Sequence, residues 1–191
     1  MPFLRARYRL CLHSSIMAIT PYQWMELVRD CALATLDASP RVDPPAVVEI
    51  GDMKTTNGSA GNCGALYVDG GALFEVGERF PDRISPSTAV AAFKGCAPGV
   101  AFPMTVRYMH CVPVFGDRDG SAPTSEQRAE FAELLWETAW DVWDGYACCI
   151  RDWKRTYGSI IRHQLTPLPR QGGISGFEIS FTAALSTCAT C

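Results

Sequence analysis

The sequence predicts an α+β fold: two main helices packed on one face of a mainly antiparallel sheet of about four to five strands. Three observations predict it. Two segments open with a Thr-x-x-Gln box and continue with apolar residues at helical spacing. Three others alternate apolar and polar residues with period two. The element order α, β, β, β, α, β, β gathers strands into runs rather than into strand–helix–strand units. A chain of 191 residues, 48% hydrophobic and 19% charged, supports one packed domain. That domain is placed at residues 17–186, between an N-terminal extension, 1–16, and a C-terminal tail, 187–191.

The extension carries Arg5, Arg7 and Arg9 ahead of Leu10, Cys11 and Leu12. Its apolar stretch is too short and polar for a signal-peptide core, and no small-residue cleavage site follows. A basic presequence of mitochondrial type is the alternative. Met17 begins Met-Ala-Ile-Thr-Pro, which reads as a natural start, so residues 1–16 are expected to be a loose extension or the product of a misassigned start.

The first helix is expected from Pro21 to about Leu36. Thr20 caps it, Pro21 fits the first position, and Gln23 completes the capping box. Trp24, Leu27, Val28, Cys31 and Ala34 form its apolar stripe. Three prolines between Ser39 and Pro45 mark the exit, and Ala46–Ile50 reads as a short strand. Asp52–Gly64 is polar and reads as a loop. Leu66, Val68, Gly70, Ala72, Phe74 and Val76 share one parity and predict a single long strand. A two-residue hairpin at Asp69-Gly70 is the alternative.

Arg79–Val100 reads as a long connection. Phe102, Met104, Val106, Tyr108, His110, Val112 and Val114 give the clearest strand, and Pro113 suggests that its end lies at a sheet edge. The second helix begins after Thr124, with Gln127 completing its box, and runs to about Tyr146 or beyond. Ile160–Leu165 is a strand, Thr166–Gly176 a hairpin-like connection rich in Pro and Gly, and Phe177–Leu185 a closing strand.

Composition excludes several function classes. No apolar run reaches the ~20 residues that span a bilayer, so no membrane role is expected. The net charge is −3 and the pI about 5.6, against the basic excess of a general nucleic-acid binder. Nine cysteines at irregular spacing do not resemble a secreted disulfide scaffold. Most are read as small buried hydrophobes in a reducing cytoplasm.

No catalytic constellation is evident. There is no Gly-x-Ser-x-Gly elbow and no Gly-Lys-Ser/Thr phosphate loop. Gly58, Gly61 and Gly64 sit in a polar stretch rather than between a strand and a helix. His110 lies on the apolar parity of its strand and reads as a packed histidine. Cys111 beside it points to the opposite face. Asp117–Gly120 matches a calcium loop only in part, because Arg128 stands where the loop needs a glutamate. Cys188-Ala-Thr-Cys191 lacks both a second ligand pair and a helix N-terminus. No metal and no cofactor is expected.

The second helix is the most informative segment. At 100° per residue its apolar residues, among them Phe131, Leu135, Trp136, Ala139, Trp140, Val142, Trp143 and Tyr146, fill about half the circumference. Glu126, Glu130, Glu133, Glu137, Asp141 and Asp144 fall within a band of about 80°. Like charges at i,i+4 cost a few tenths of a kcal/mol per pair. The acidic band reads either as a solvated face or as a surface facing a basic partner or a polyanion that must pass without sticking. The Trp136–Trp140–Trp143 ridge exceeds what one helix on one sheet needs, and part of it fits a subunit contact.

Four segments occur in a characteristic order: Gly61–Val68, Phe102–Val114, Pro123-Thr-Ser-Glu-Gln with the Trp-bearing helix, and Leu165–Phe181. With them, the chain resembles the tail terminator (head-to-tail connector) proteins of long-tailed actinobacterial phages, over about Met17–Leu185. The resemblance implies a non-enzymatic virion protein, assembled in the host cytoplasm and placed at the head–tail junction. It implies a homohexameric ring that caps the tail tube, with the tail tube protein on one face and the neck (stopper) protein on the other. DNA would pass through its channel without specific binding. Glu126, Glu130, Glu133, Glu137, Asp141, Asp144, Trp136 and Trp140 are the candidate channel or interface residues. Another neck component, a stopper or adaptor, is the alternative, as is a small cytosolic cysteine-based redox protein.

Overall fold

The computed structural model describes residues 19–39, 45, 47–51, 64–76, 80–83, 99–112, 122–171 and 173–185. In chain order the elements are α1 (Pro21–Ala38), β1 (Val47–Ile50), β2 (Ala65–Gly70), β3 (Phe74–Val76), β4 (Gly99–Cys111), α2 (Ser125–Thr156), β5 (Ile160–Gln171) and β6 (Ile174–Leu185). The main sheet order is β1-β2-β4-β6-β5, with β3 also paired to β4. Only β1 and β2 run parallel. The fold is α+β, with both helices on one face of a mostly antiparallel sheet of six strands rather than four to five.

Both helix starts follow from local chemistry. Thr20 accepts from the Gln23 backbone N–H while the Gln23 side chain accepts from the Thr20 N–H. Thr124 and Gln127 repeat that exchange at α2. Each box satisfies two backbone donors that a helix start otherwise leaves unpaired.

The core lies between the helices and one sheet face. Phe102, Met104, Val106 and Tyr108 of β4 and Phe177, Ile179, Phe181 and Ala183 of β6 are buried, while Glu178 and Ser180 are only half-buried. Trp24 and Val28 of α1 and Ala139, Val142 and Tyr146 of α2 close over them. The apolar parities of these two strands are therefore the ones packed against the helices. On the opposite face, Arg107 bridges Asp69 at 2.5 Å and Glu178 at 2.7 Å, joining three adjacent strands.

Four expectations meet the folded chain, and three of them are corrected. First, the segment 66–76 is neither one strand nor a hairpin. It pairs with β4 on both sides of a break at 71–73, but Gly70 opposes Met104 while Phe74 opposes Ala101. One extra residue therefore lies between β2 and β3, and it reverses the face. Leu66 and Val68 join the core, whereas Phe74 and Val76 share the face of Ala101. The break also accommodates Pro103. Its carbonyl accepts from Gly71 on this side, so its missing N–H falls where the ladder is already interrupted.

Second, β4 is the central strand, but toward Pro113 its last residues, His110 and Cys111, pair with β6 and no longer with β2, so the edge expected for this strand is confined to its end. Pro113 lies outside the described residues. Third, Thr166–Gly176 is mostly strand. β5 continues through Pro167 and Pro169 to Gln171, with register shifts at Arg162/Gln164 and Leu168/Gln171. As the outermost strand, β5 tolerates prolines because it has no second neighbour requiring their N–H.

Fourth, the described cysteines are not simply packed thiols. Cys31 of α1 is disulfide-bonded to Cys149 of α2, and Cys111 is disulfide-bonded as well. Cys148 is free and exposed. The Cys31–Cys149 bond belongs to a close helix crossing. A Cβ on Gly145 would overlap the Thr35 side chain, and Tyr146 Oη donates to the Val28 carbonyl at 2.7 Å.

Burial pushes the Tyr146 phenol well above its ordinary pKa. The unfolded chain loses that proton near pH ~10 and the folded chain does not. The burial contribution is thus complete below about pH 10 and declines as pH rises through the folded value. Urea unfolding from pH 8 to pH 11 is expected to show that decline, and Tyr146→Phe is expected to flatten it while costing about 1 kcal/mol at neutral pH. An unchanged alkaline slope in the variant would exclude Tyr146 as its origin.

Candidate functional site

Helix α2 is 32 residues long, or about 48 Å at 1.5 Å per residue. Its buried side is narrower than its apolar side. Ala139, Val142, Tyr146 and Trp153 are buried, and Phe131, Leu135 and Trp143 are half-buried. Trp136 and Trp140 are 53% and 62% exposed. Two large indoles thus remain in water because the sheet and α1 cover only part of the apolar half-circumference. Glu126, Glu130, Glu133, Glu137 and Asp144 are exposed beside them, and Asp141 is half-buried.

Contacts anchor one side of this surface. Ser39 Oγ, at the end of α1, donates to Asp141 at 3.4 Å. Thr35, Ser39, Trp140, Asp141, Asp144 and Gly145 line an open cleft of about 390 Å³ between the helices. Arg162 of β5 donates to the Trp143 carbonyl, and its guanidinium stacks 3.6 Å from that indole's centre. Burial lowers the Arg162 pKa, and the nearby Asp144 charge partly offsets this. Trp143 therefore serves the packing between α2 and β5, and the exposed ridge consists of Trp136 and Trp140.

A second groove, of about 250 Å³, lies at the N-terminal end of α2. Phe131, Leu135 and Trp136 line it together with Val112, and Arg128 and Arg170 also border it. His110 stacks between Tyr108 and Phe131, with ring centres 6.2 and 6.0 Å apart. Its ring therefore packs against two aromatic neighbours. His163 lies elsewhere, 2.7 Å from Thr182 Oγ1.

The helix continues well past Tyr146, and its last turns change the charge of the band. At 100° per residue, Arg151 and Arg155 fall on the same angular band as the six carboxylates. Lys154 falls in line with Trp136. Arg151, Lys154 and Arg155 are all exposed. The band is acidic over its first two-thirds and basic over its last turns, a polarity that also suits the helix dipole. The available signal in the sequence was Trp153, whose spacing from Tyr146 and Ile150 continues the apolar stripe.

No family model matches the chain, and no curated protein matches it. Its chemistry rests on its own geometry. Among the described residues, no group of three or more His, Cys, Asp or Glu is placed to hold a metal ion. Among them, too, no helix is long and apolar enough to cross a membrane. The partial calcium loop at Asp117–Gly120, Cys188, Cys191, Gly58, Gly61 and the 1–16 extension lie outside the described residues.

Proposed function

We propose that this chain is a structural phage virion protein that caps the tail tube as a ring and joins it to the head or neck. The observation that carries this reading is the outer face of α2, where exposed Trp136 and Trp140 run beside a continuous acidic band. Large exposed indoles are characteristic of association surfaces. The exposed carboxylates Glu126, Glu130 and Glu133 repel one another, so this part of the face stabilises little in the isolated chain. Its composition makes better sense in an assembly. The order of the segments resembling tail terminators supports the same reading.

In that setting the protein is a homohexamer at the head–tail junction. It binds the last ring of the tail tube protein on one side and the neck (stopper) protein on the other. The acidic band either joins subunits or lines the channel, where negative charge keeps DNA from adhering. Replacing Glu130, Glu133 and Glu137 with Lys is expected to leave the isolated fold intact, within about 0.5 kcal/mol per site. It is expected to lower the yield of infectious virions at least tenfold. Normal yield from the triple variant would reduce the band to a solvated face. Native mass and binding to purified tail tubes test the rest: capping of the tubes supports a terminator, and binding to head-side components alone points to a stopper or adaptor.

A further inference from the structure

We infer that the acidic, Trp-bearing stretch of α2 is a docking surface for the basic C-terminal end of α2 from a second copy of this chain. The inference rests on the self-assembly contained in the proposed function, but not on the tail as its destination. Its basis is charge complementarity within one helix face. Glu130, Glu133 and Glu137 occupy one stretch of the band, and Arg151 and Arg155 continue the same band toward the C-terminus. Both stretches are exposed.

A single helix cannot satisfy this complementarity itself. Glu133 and Arg151 are 18 residues apart in a straight helix, about 27 Å along its axis. That distance exceeds the screening length of about 8 Å at physiological ionic strength. The Arg151 contact within the chain is an exposed 3.7 Å approach to Asp152, which contributes little. A second copy brings opposite charges together across a short gap. Along one border of the acidic band, Trp136 and Trp140 supply apolar area that becomes dry on contact, an apolar patch edged by charge. Charge alone would steer the two copies, and the indoles would hold them.

The exposed thiol of Cys148 provides the test. It lies on the same band, one turn before Arg151. A cysteine introduced in place of Glu133 is 15 residues from Cys148, about 22 Å along the helix. A disulfide spans Cα atoms less than about 7 Å apart, so a bond from that position to Cys148 has to join two copies. Full-length Glu133→Cys and Glu137→Cys proteins, oxidised mildly, are expected to give covalent oligomers that disappear when Cys148→Ser is added.

Charge reversal provides an independent readout by analytical ultracentrifugation. Glu130, Glu133 and Glu137 changed to Lys in one protein, and Arg151, Lys154 and Arg155 changed to Glu in another, are each expected to weaken self-association at least tenfold. An equal mixture of the two is expected to restore it, because one then carries only basic ends and the other only acidic ones. A ladder of cross-linked species closing at a ring supports both this contact and the proposed function. A ladder that stops at a dimer supports the contact and overturns the ring. A wild-type oligomer that neither reversal weakens, with no Cys148-dependent cross-link, overturns the contact and leaves the ring standing. A wild-type chain that stays monomeric at assembly concentrations overturns both.

Discussion

Loss of the Cys31–Cys149 bond is expected to lower the stability of the fold by about 3–5 kcal/mol. The two cysteines are 118 residues apart, and the bond fastens α1 to the far half of α2. In the chain-entropy account, closing a loop of that length removes close to ~5 kcal/mol of freedom from the unfolded chain. Folds of this size have about 5–15 kcal/mol in hand, so the bond is a large fraction of the total. Reduction, or a Cys31→Ala and Cys149→Ala pair, is therefore expected to lower the melting temperature by about 10 °C. Urea unfolding with and without reductant measures the effect. The double variant isolates this bond from the one at Cys111. A midpoint that does not move in the double variant would mean that the helix crossing is held by Thr35, Gly145 and Tyr146 alone.

Gly176→Ala is the second large effect. Gly176 opposes Met109 in the central pair of strands, β4 and β6. A Cβ there would overlap the Tyr108 carbonyl oxygen and stand 2.9 Å from the carbonyl carbon and 3.1 Å from Met109 Cα. These are backbone atoms of a strand paired on both sides, so no side chain can swing away. The substitution is expected to cost about 3 kcal/mol or more, and Gly176→Val to prevent recovery of folded protein. Gly99→Ala is the control, because the nearest obstacle there is a Val76 methyl at 3.3 Å. Its expected cost is under about 1 kcal/mol. Equal urea midpoints for Gly176→Ala and Gly99→Ala would sink the steric argument.

Features set by local chemistry or by a repeating period were legible in the amino-acid order. The Thr20–Gln23 and Thr124–Gln127 boxes are exchanges within four residues, and they start both helices as written. The alternation in Phe102–Tyr108 and Phe177–Ala183 fixes the core face because a strand has period two. The aromatic excess on α2 was legible for the same reason. Its apolar arc is wider than one contact covers, and Trp136 and Trp140 are the residues left over.

Features that depend on a distant partner emerged only in the folded chain. The extra residue between Gly70 and Phe74 is invisible in a parity count, because a bulge exists only relative to the opposite strand. Pro167 and Pro169 read as a turn until β5 proves to be the outermost strand, where a missing N–H costs no ladder bond. The pairing of Cys31 with Cys149 required the crossing at Gly145 to bring two helices within a disulfide's reach. The basic end of the α2 band became visible only once the helix was seen to run to Thr156. In the first three cases the deciding energy is a contact between segments far apart in the chain, and no local spacing encodes it; the helix end differs, because the spacing of Trp153 from Tyr146 and Ile150 carried a local signal for it.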